Sequence, residues 1–321
     1  MKKILCLTIS LLLVLSALVG CESNDKDKNG ISIVTTVFPV YDWIEEILGE
    51  RADDTQLTML LDSGVDLHNF QPTTDDIIKI SSCDLFIYVG GESDGWVEDV
   101  LKTSANKDRI VINLMELMEE SLEAAVSHSE EENHDHDHDH EHHLDEHIWL
   151  SLRNAVTACG IIADGLYKAD PDNKDIYSEN LSDYTSRLND LDAKYSAAVE
   201  SATHKTLVFP DRFPFTYLCH DYGIEYYAAF NGCSTDTAAS PEVITTLAGK
   251  IDQLSLGYVM TIEGSELLDF TNTVIGATTA KNARILTVNS LQTVTAADVE
   301  NGIDYLAVME SNLTSFAQAL N

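Results

Sequence analysis

The chain has 321 residues, with 54 Asp and Glu against 19 Lys and Arg, a formal net charge of −35. Such an excess of negative charge excludes nucleic acid and anionic lipid surfaces as partners, and it favours solubility and the attraction of cations. The six cysteines are widely scattered and contain no CxxC pair, which argues against a cysteine-built metal site.

The first residues set the compartment. Lys2 and Lys3 precede an apolar run from Ile4 to Val19, closed by Gly20 and Cys21. A charged start, an apolar stretch and small residues at a cleavage point describe a secretory signal over residues 1–20. The run is almost long enough to span a bilayer, so an uncleaved anchor helix is the competing reading. Leu18-Val19-Gly20-Cys21 resembles the lipobox of bacterial lipoproteins, which implies cleavage and makes Cys21 the lipid-bearing residue. Residues 21–30 then read as a flexible polar tether. Removing residues 1–20 leaves 301, enough for two ordinary domains. Cys83, Cys159, Cys219 and Cys233 read as buried small hydrophobes, with a Cys219–Cys233 disulfide permitted but not established.

From residue 31 onward, short β-rich runs alternate with helical patterns. Strands are predicted at Ile31–Thr36, Leu57–Leu61, Leu85–Val89 and Ile110–Leu114, and helices at Val40–Leu48, Thr74–Ser81 and Trp96–Leu101. The scheme returns later, with strands at Thr206–Phe209, Glu225–Phe230, Tyr258–Ile262 and Ile285–Val288. Helices there fall at Phe215–Tyr222, Glu242–Leu254, Leu267–Ile275 and Val299–Leu320. The expected fold class is α/β, with two lobes over residues 31–171 and 202–321, each a mainly parallel sheet flanked by helices. Between them Tyr177, Leu181, Tyr184, Leu188, Leu191, Tyr195 and Ala198 fall on one stripe of a single helix over residues 172–201. A coiled coil would use the same stripe. A stiff linking helix packed along both lobes of a monomer fits the flanking pattern better.

Residues 127–146 form an acidic, His-rich loop. His128, His134, His136, His138, His140, His142 and His143 alternate with Asp and Glu, and with His147 they make eight of the 11 histidines. Imidazole suits zinc and other transition metals, so the run reads as metal capture or as a solvated loop that binds metal incidentally. His147 differs, because Ile148-Trp149-Leu150 follows and ordered structure resumes there. In open parallel sheets ligands sit beyond the carboxyl ends of the strands. His68 follows the second strand, Asp211 follows Thr206–Phe209, Glu263 follows Tyr258–Ile262 and Asn289 follows Ile285–Val288. Two imidazoles and several oxygen donors therefore converge on one crevice if the halves face each other. His204 precedes its strand and His220 lies inside a helix, so both read as structural.

The chain resembles the metal-binding solute-binding lipoproteins of bacterial zinc and manganese ABC importers over essentially its whole mature length. Val34-Thr35-Thr36-Val37-Phe38-Pro39 is similar to that family's opening strand, Asp66-Leu67-His68-Asn69-Phe70-Gln71-Pro72 to its first-ligand motif, and Asp145-Glu146-His147-Ile148-Trp149-Leu150 to its second. The resemblance implies an extracytoplasmic receptor for one divalent metal, Zn2+ first and Mn2+ as the alternative, with a membrane permease and ATPase as partners. It implies His68 and His147 as ligands, and a third where this chain has Pro210-Asp211. The family usually ends on an Asp where this chain has Asn289, a weaker donor, with Glu263 as a spare carboxylate nearby.

Two other classes compete. His143-Leu144-Asp145-Glu146-His147 formally matches the inverted zinc-protease motif HxxEH, which requires a helix and arises here from Asp/His repeats. A surface metal buffer or adhesin would instead bind through the His run alone. The expectation is a binding protein and not an enzyme.

Overall fold

The computed structural model describes residues 30–103, 105–127, 144–232, 234 and 239–321. The signal, Cys21, most of the tether, the histidines from His128 to His143, and Cys233 lie outside those residues. Cys83, Cys159 and Cys219 are buried free thiols.

In the first half, β1 (Ser32–Thr35), β2 (Gln56–Met59), β3 (Leu85–Tyr88) and β4 (Ile110–Asn113) form one parallel sheet in the order β2-β1-β3-β4. The inner strands are apolar throughout, as a sheet covered on both faces requires; Ile33, Leu85, Phe86 and Ile87 are fully buried. The covering helices are α1 (Phe38–Leu48), α2 (Thr74–Ser82), α3 (Val97–Leu101), α4 (Leu114–Ser127) and α5 (Leu152–Ala169). Pro39 opens the first turn of α1, and Thr73 with Asp76 forms a capping box on α2. Neither α4 nor α5 is among the helices expected from the sequence.

A 27-residue helix, α6 (Lys174–Glu200), follows one 3-10 turn at Pro171–Asn173. At ~1.5 Å per residue it is roughly 40 Å long. Tyr177, Tyr184, Leu188, Leu191 and Tyr195 are buried, with Val199 in place of Ala198 at the end of the stripe. The stripe is covered by the chain's own elements. Asn180 donates to Ile47 O at 3.0 Å, and Tyr195 OH donates to Met309 O at 2.7 Å, so α6 is tied to both halves. One hydrophobic core runs through both halves and α6, and a smaller one lies in the second half around Leu247, Ile251 and Val274.

In the second half, β5 (Thr206–Phe213) pairs with β6 (Glu225–Asn231), and β7 (Tyr258–Ile262) with β8 (Arg284–Val288), all parallel. The helices are α7 (Thr216–Tyr222), α8 (Pro241–Leu254), α9 (Leu268–Ala277), α10 (Ala296–Glu300) and α11 (Tyr305–Ala319). β5 runs past its expected end at Phe209, through Pro210. Its register against β6 shifts between Phe209 and Arg212, and a bulge of this kind tolerates a proline that has no N–H to give. The expected helix Val299–Leu320 is two helices. Gly302 turns the chain at φ +80°, and the Asp304 side chain accepts the Ala307 N–H at 2.6 Å to start α11 afresh.

Asp42 on α1 is the buried charge at the junction of these parts. Tyr184 OH of α6 donates to its carboxylate at 3.2 Å, and the Tyr305 N–H of α11 at 3.4 Å. Burial, then the Asp304 charge, pushes its pKa up to about 7 against the lowering effect of those hydrogen bonds. The folded chain therefore holds a proton that the unfolded chain releases at about pH 4. Stability contributed here falls as pH rises from about 4 to about 7, and stays low above that. Asp42→Asn should be more stable than the parent at pH 8 by on the order of 2–4 kcal/mol, with the difference vanishing near pH 4. Urea denaturation of both proteins at the two pH values measures it.

Candidate metal centre

The loop after β2 delivers His68. Leu67–Asn69 is a 3-10 turn with Leu67 buried, and the Asp66 carboxylate caps it by accepting the His68 N–H at 3.0 Å. The His68 ring then lies with Nδ1 2.7 Å from Ser93 Oγ and 3.1 Å from Glu146 Oε1. Ser93 sits on the turn Gly90-Gly91-Glu92-Ser93-Asp94 that follows β3. Gly91 has φ +82°, and a Cβ there would lie 2.8 Å from Glu146 Oε2, so only glycine lets the carboxylate in. Asp94 closes the turn by accepting the Gly90 N–H at 2.9 Å. Ser93 donates to Glu146 from its N–H at 3.1 Å and from Oγ at 2.7 Å.

His147 comes from the segment before α5. Asp145 Oδ1 accepts its N–H at 2.9 Å and lies 2.6 Å from its Nδ1. Asp145 is in turn fixed by α7, with Thr216 Oγ1 donating to Oδ2 at 3.0 Å and Tyr217 OH to the main-chain oxygen at 2.8 Å. The following 3-10 turn, Ile148–Leu150, is fully buried. Gly232 in the second half closes over the ring, since a Cβ there would stand 3.0 Å from His147 Cε1.

His68 and His147 meet edge to face, with ring centroids 5.4 Å apart at 68°. Both Nε2 atoms are buried and have no hydrogen-bond partner. A buried nitrogen left unpaired costs roughly 1–3 kcal/mol, so two in contact are a feature to be explained by what they bind. Each ring is held at Nδ1 by a carboxylate, which directs Nε2 as the ligating atom. Burial alone would lower the His68 pKa, but the hydrogen bond and charge of Glu146 outweigh it and the net shift is upward. Burial likewise works against ionised Glu146 and Asp145, yet the histidines and the hydrogen bonds hold both below the usual carboxylate range.

The oxygen donors are placed differently. Asp211 and Glu263 line a cavity of about 300 Å³ between the halves, shared with Asp66, Arg212, Ser290 and Gln292. Asp211 is inside β5 and not in a loop beyond it; its Oδ2 accepts the Ile262 N–H at 3.1 Å and its Oδ1 the Arg212 N–H at 2.8 Å. Glu263 accepts from Ser290 N–H and Oγ, each at 2.7 Å. Burial raises the pKa of both groups. Asn289 does not join them: its Oδ1 accepts the Leu291 N–H at 2.7 Å. Among the described residues, no group of three or more His, Cys, Asp and Glu is arranged to hold a metal ion. The structure thus brings together His68 and His147, and leaves Asp211, Glu263 and Asn289 engaged elsewhere. The loop histidines His134, His136, His138, His140, His142 and His143 lie outside the described residues.

Leu144–His147 is not helical, and Glu146 is spent on Ser93 and His68. The helix that an HxxEH protease motif needs is absent from those residues. Ser93 was missed by sequence reading. The signal within reach was Gly90-Gly91 at the carboxyl end of β3, where ligand-side turns are expected.

The model of the family described as "Zinc-uptake complex component A periplasmic", ZnuA, matches residues 33–319. Zinc-binding protein AdcA of Streptococcus pyogenes serotype M3 is 30% identical over 98% of this chain, which spans only 61% of that protein's length. The high-affinity zinc uptake system protein ZnuA of Bacillus subtilis is 31% identical over 93% of this chain and 90% of its own. The crystal structure of the Zn(II)-bound ZnuA-like domain of Streptococcus pneumoniae AdcA superposes with a TM-score of 0.70 at 25% identity, over 91% of this chain and 99% of that one. With the family match running almost from β1 to the end of α11, and the two-lobed fold in common, the chain belongs to the zinc-uptake component A family.

Proposed function

We propose that the protein is an extracytoplasmic receptor that binds one zinc ion between its two lobes and delivers it to an ABC importer. The observation that carries this reading is the pair of buried, unpartnered Nε2 atoms of His68 and His147, each ring fixed at Nδ1 by a carboxylate. Imidazole is a zinc ligand of choice, and the carboxylate behind it raises its basicity. The zinc-binding and zinc-uptake names of the relatives support zinc over manganese. Asp211 and Glu263 are candidate further donors once they leave Ile262 and Ser290, with Asn289 the weakest. Lipidation at Cys21 would tether the receptor beside its permease, and residues 1–20, 21–30, 31–171, 172–201 and 202–321 would be signal, tether, lobe, linking helix and lobe. Nothing in this reading calls for catalysis.

The double variant His68→Ala, His147→Ala should weaken zinc binding by ~100-fold or more in calorimetry, since the metal loses both imidazoles that the described residues bring to the crevice. Affinity unchanged in that variant would overturn the site.

Zinc requires neutral imidazole, and His68 takes up its proton above its ordinary 6.5 because Glu146 stands beside it. Affinity should be flat at alkaline pH, begin to fall above pH ~6.5, and then drop by up to ~10-fold per pH unit for each ligating histidine. Competition titrations between pH 5 and 8.5 measure this.

Deleting residues 129–143 separates the receptor from a surface metal buffer. The receptor keeps one tight zinc site and loses several weak ones, whereas a buffer loses nearly all bound zinc. Stoichiometry by calorimetry distinguishes them.

A further inference from the structure

We infer that Ser93 and Glu146 are positioning residues that lock His68 into the tautomer that presents Nε2 to the metal, an inference that rests on the zinc reading above. The argument is one of proton counting. Glu146 Oε1 is 2.7 Å from Ser93 Oγ, and an ionised carboxylate can only accept. The one hydroxyl proton of Ser93 is therefore committed to Glu146. Ser93 Oγ is also 2.7 Å from His68 Nδ1, and with its proton spent it can only accept there. Nδ1 must carry the hydrogen, and in the neutral ring Nε2 must carry the lone pair.

Glu146 stays in place because Ser93 N–H also holds Oε2, at 3.1 Å, and because Gly91 leaves room for it. The turn bearing Ser93 is closed by the Asp94–Gly90 hydrogen bond. Ser93 lies 53 residues from Glu146 and 25 from His68, so three separate segments of the chain converge on one imidazole. Such an arrangement serves a ring whose other nitrogen has work to do. Nε2 of this ring is buried without a partner and faces the His147 ring, whose Nε2 is buried and unpaired as well.

The test uses the full chain with zinc ion alone, titrated against a chromophoric chelator, alongside 15N NMR of the histidine rings. In the parent protein without metal, the neutral His68 ring should carry its proton on Nδ1. A proton on Nε2 overturns the inference without recourse to any variant. Ser93→Ala should weaken zinc binding ~3–10-fold and Glu146→Ala ~10–100-fold, and both should let His68 populate the second tautomer. The two losses should be less than additive, because they cut one chain. Ser93→Thr keeps the hydroxyl and should hold affinity within ~3-fold of the parent. If Ser93→Ala and Glu146→Ala bind zinc as tightly as the parent while His68→Ala does not, the positioning role falls and the zinc site stands. If His68→Ala also binds normally, the site itself falls, and this inference with it.

Discussion

Six residues, Asp145 to Leu150, are gripped from both halves of the molecule, and the rest of the site depends on that grip. From the first half, Ser93 holds Glu146 and His68 packs against His147. From the second half, Thr216 and Tyr217 hold Asp145, Ser290 O accepts from Trp149 Nε1 at 2.9 Å, and Tyr305 OH donates to Trp149 O at 2.6 Å. Tyr305 in turn stands edge to face with Trp43 of α1. These hydrogen bonds are buried or partly buried, where an unmade partner is costly, so they fix the segment more firmly than surface contacts could. His147 inherits its position from that network, and the loop of His68 is the part brought to it.

Four of the acidic groups around the crevice fall into two electrostatic classes. Asp145 and Glu146 back an imidazole and are held ionised; Asp211 and Glu263 have only hydroxyl and N–H donors, and burial pushes them towards protonation. The net effect in the metal-free chain is restraint. Ionised carboxylates gathered near one another would repel, and raising two pKa values relieves part of that. A dication entering beside the histidines would reverse the balance, since its field favours the ionised form of every carboxylate nearby.

Much of this was legible in the sequence, and the failures have physical causes. The strand–helix alternation and the α6 stripe announced themselves because their apolar contrast is strong. α5 was passed over because its buried face is built from Ala155, Ala158, Cys159 and Ala163, small residues with weak hydrophobic contrast, though Ile162 and Leu166 keep the spacing. In α4 the apolar Met115, Met118 and Leu122 are interleaved with glutamates that merged with the acidic loop beyond. The expected strand stops at Phe209, and a bulge carries the real one on through Pro210. Gly302 and Asp304 signalled a helix break, but apolar residues on both sides masked it. His68 stands out because it follows a readable strand, and His147 because it precedes the apolar Ile148-Trp149-Leu150. Ser93 could not be paired with either, because the contact is tertiary and nothing local in a serine marks it.

The same grip bears on which contacts can give way. Across the crevice rim, Arg212 pairs with Asp66 at 3.3 Å, with both side chains 23% exposed. A partly exposed ion pair of that kind contributes about 0–1 kcal/mol. Ala296 N–H donates to Asp62 O at 2.7 Å and adds one further main-chain tie between the His68 loop and the second half. Behind the site stand Asp42, Tyr184, Tyr305 and Trp149, all buried and mutually hydrogen-bonded or packed, whose separation would expose several unpaired polar groups at roughly 1–3 kcal/mol each. The molecule is therefore cheap to part at the Asp66 rim and expensive to part at α6. The His68 loop, carried by a single 3-10 turn and an Asp66 cap, stands on the weaker side of that balance.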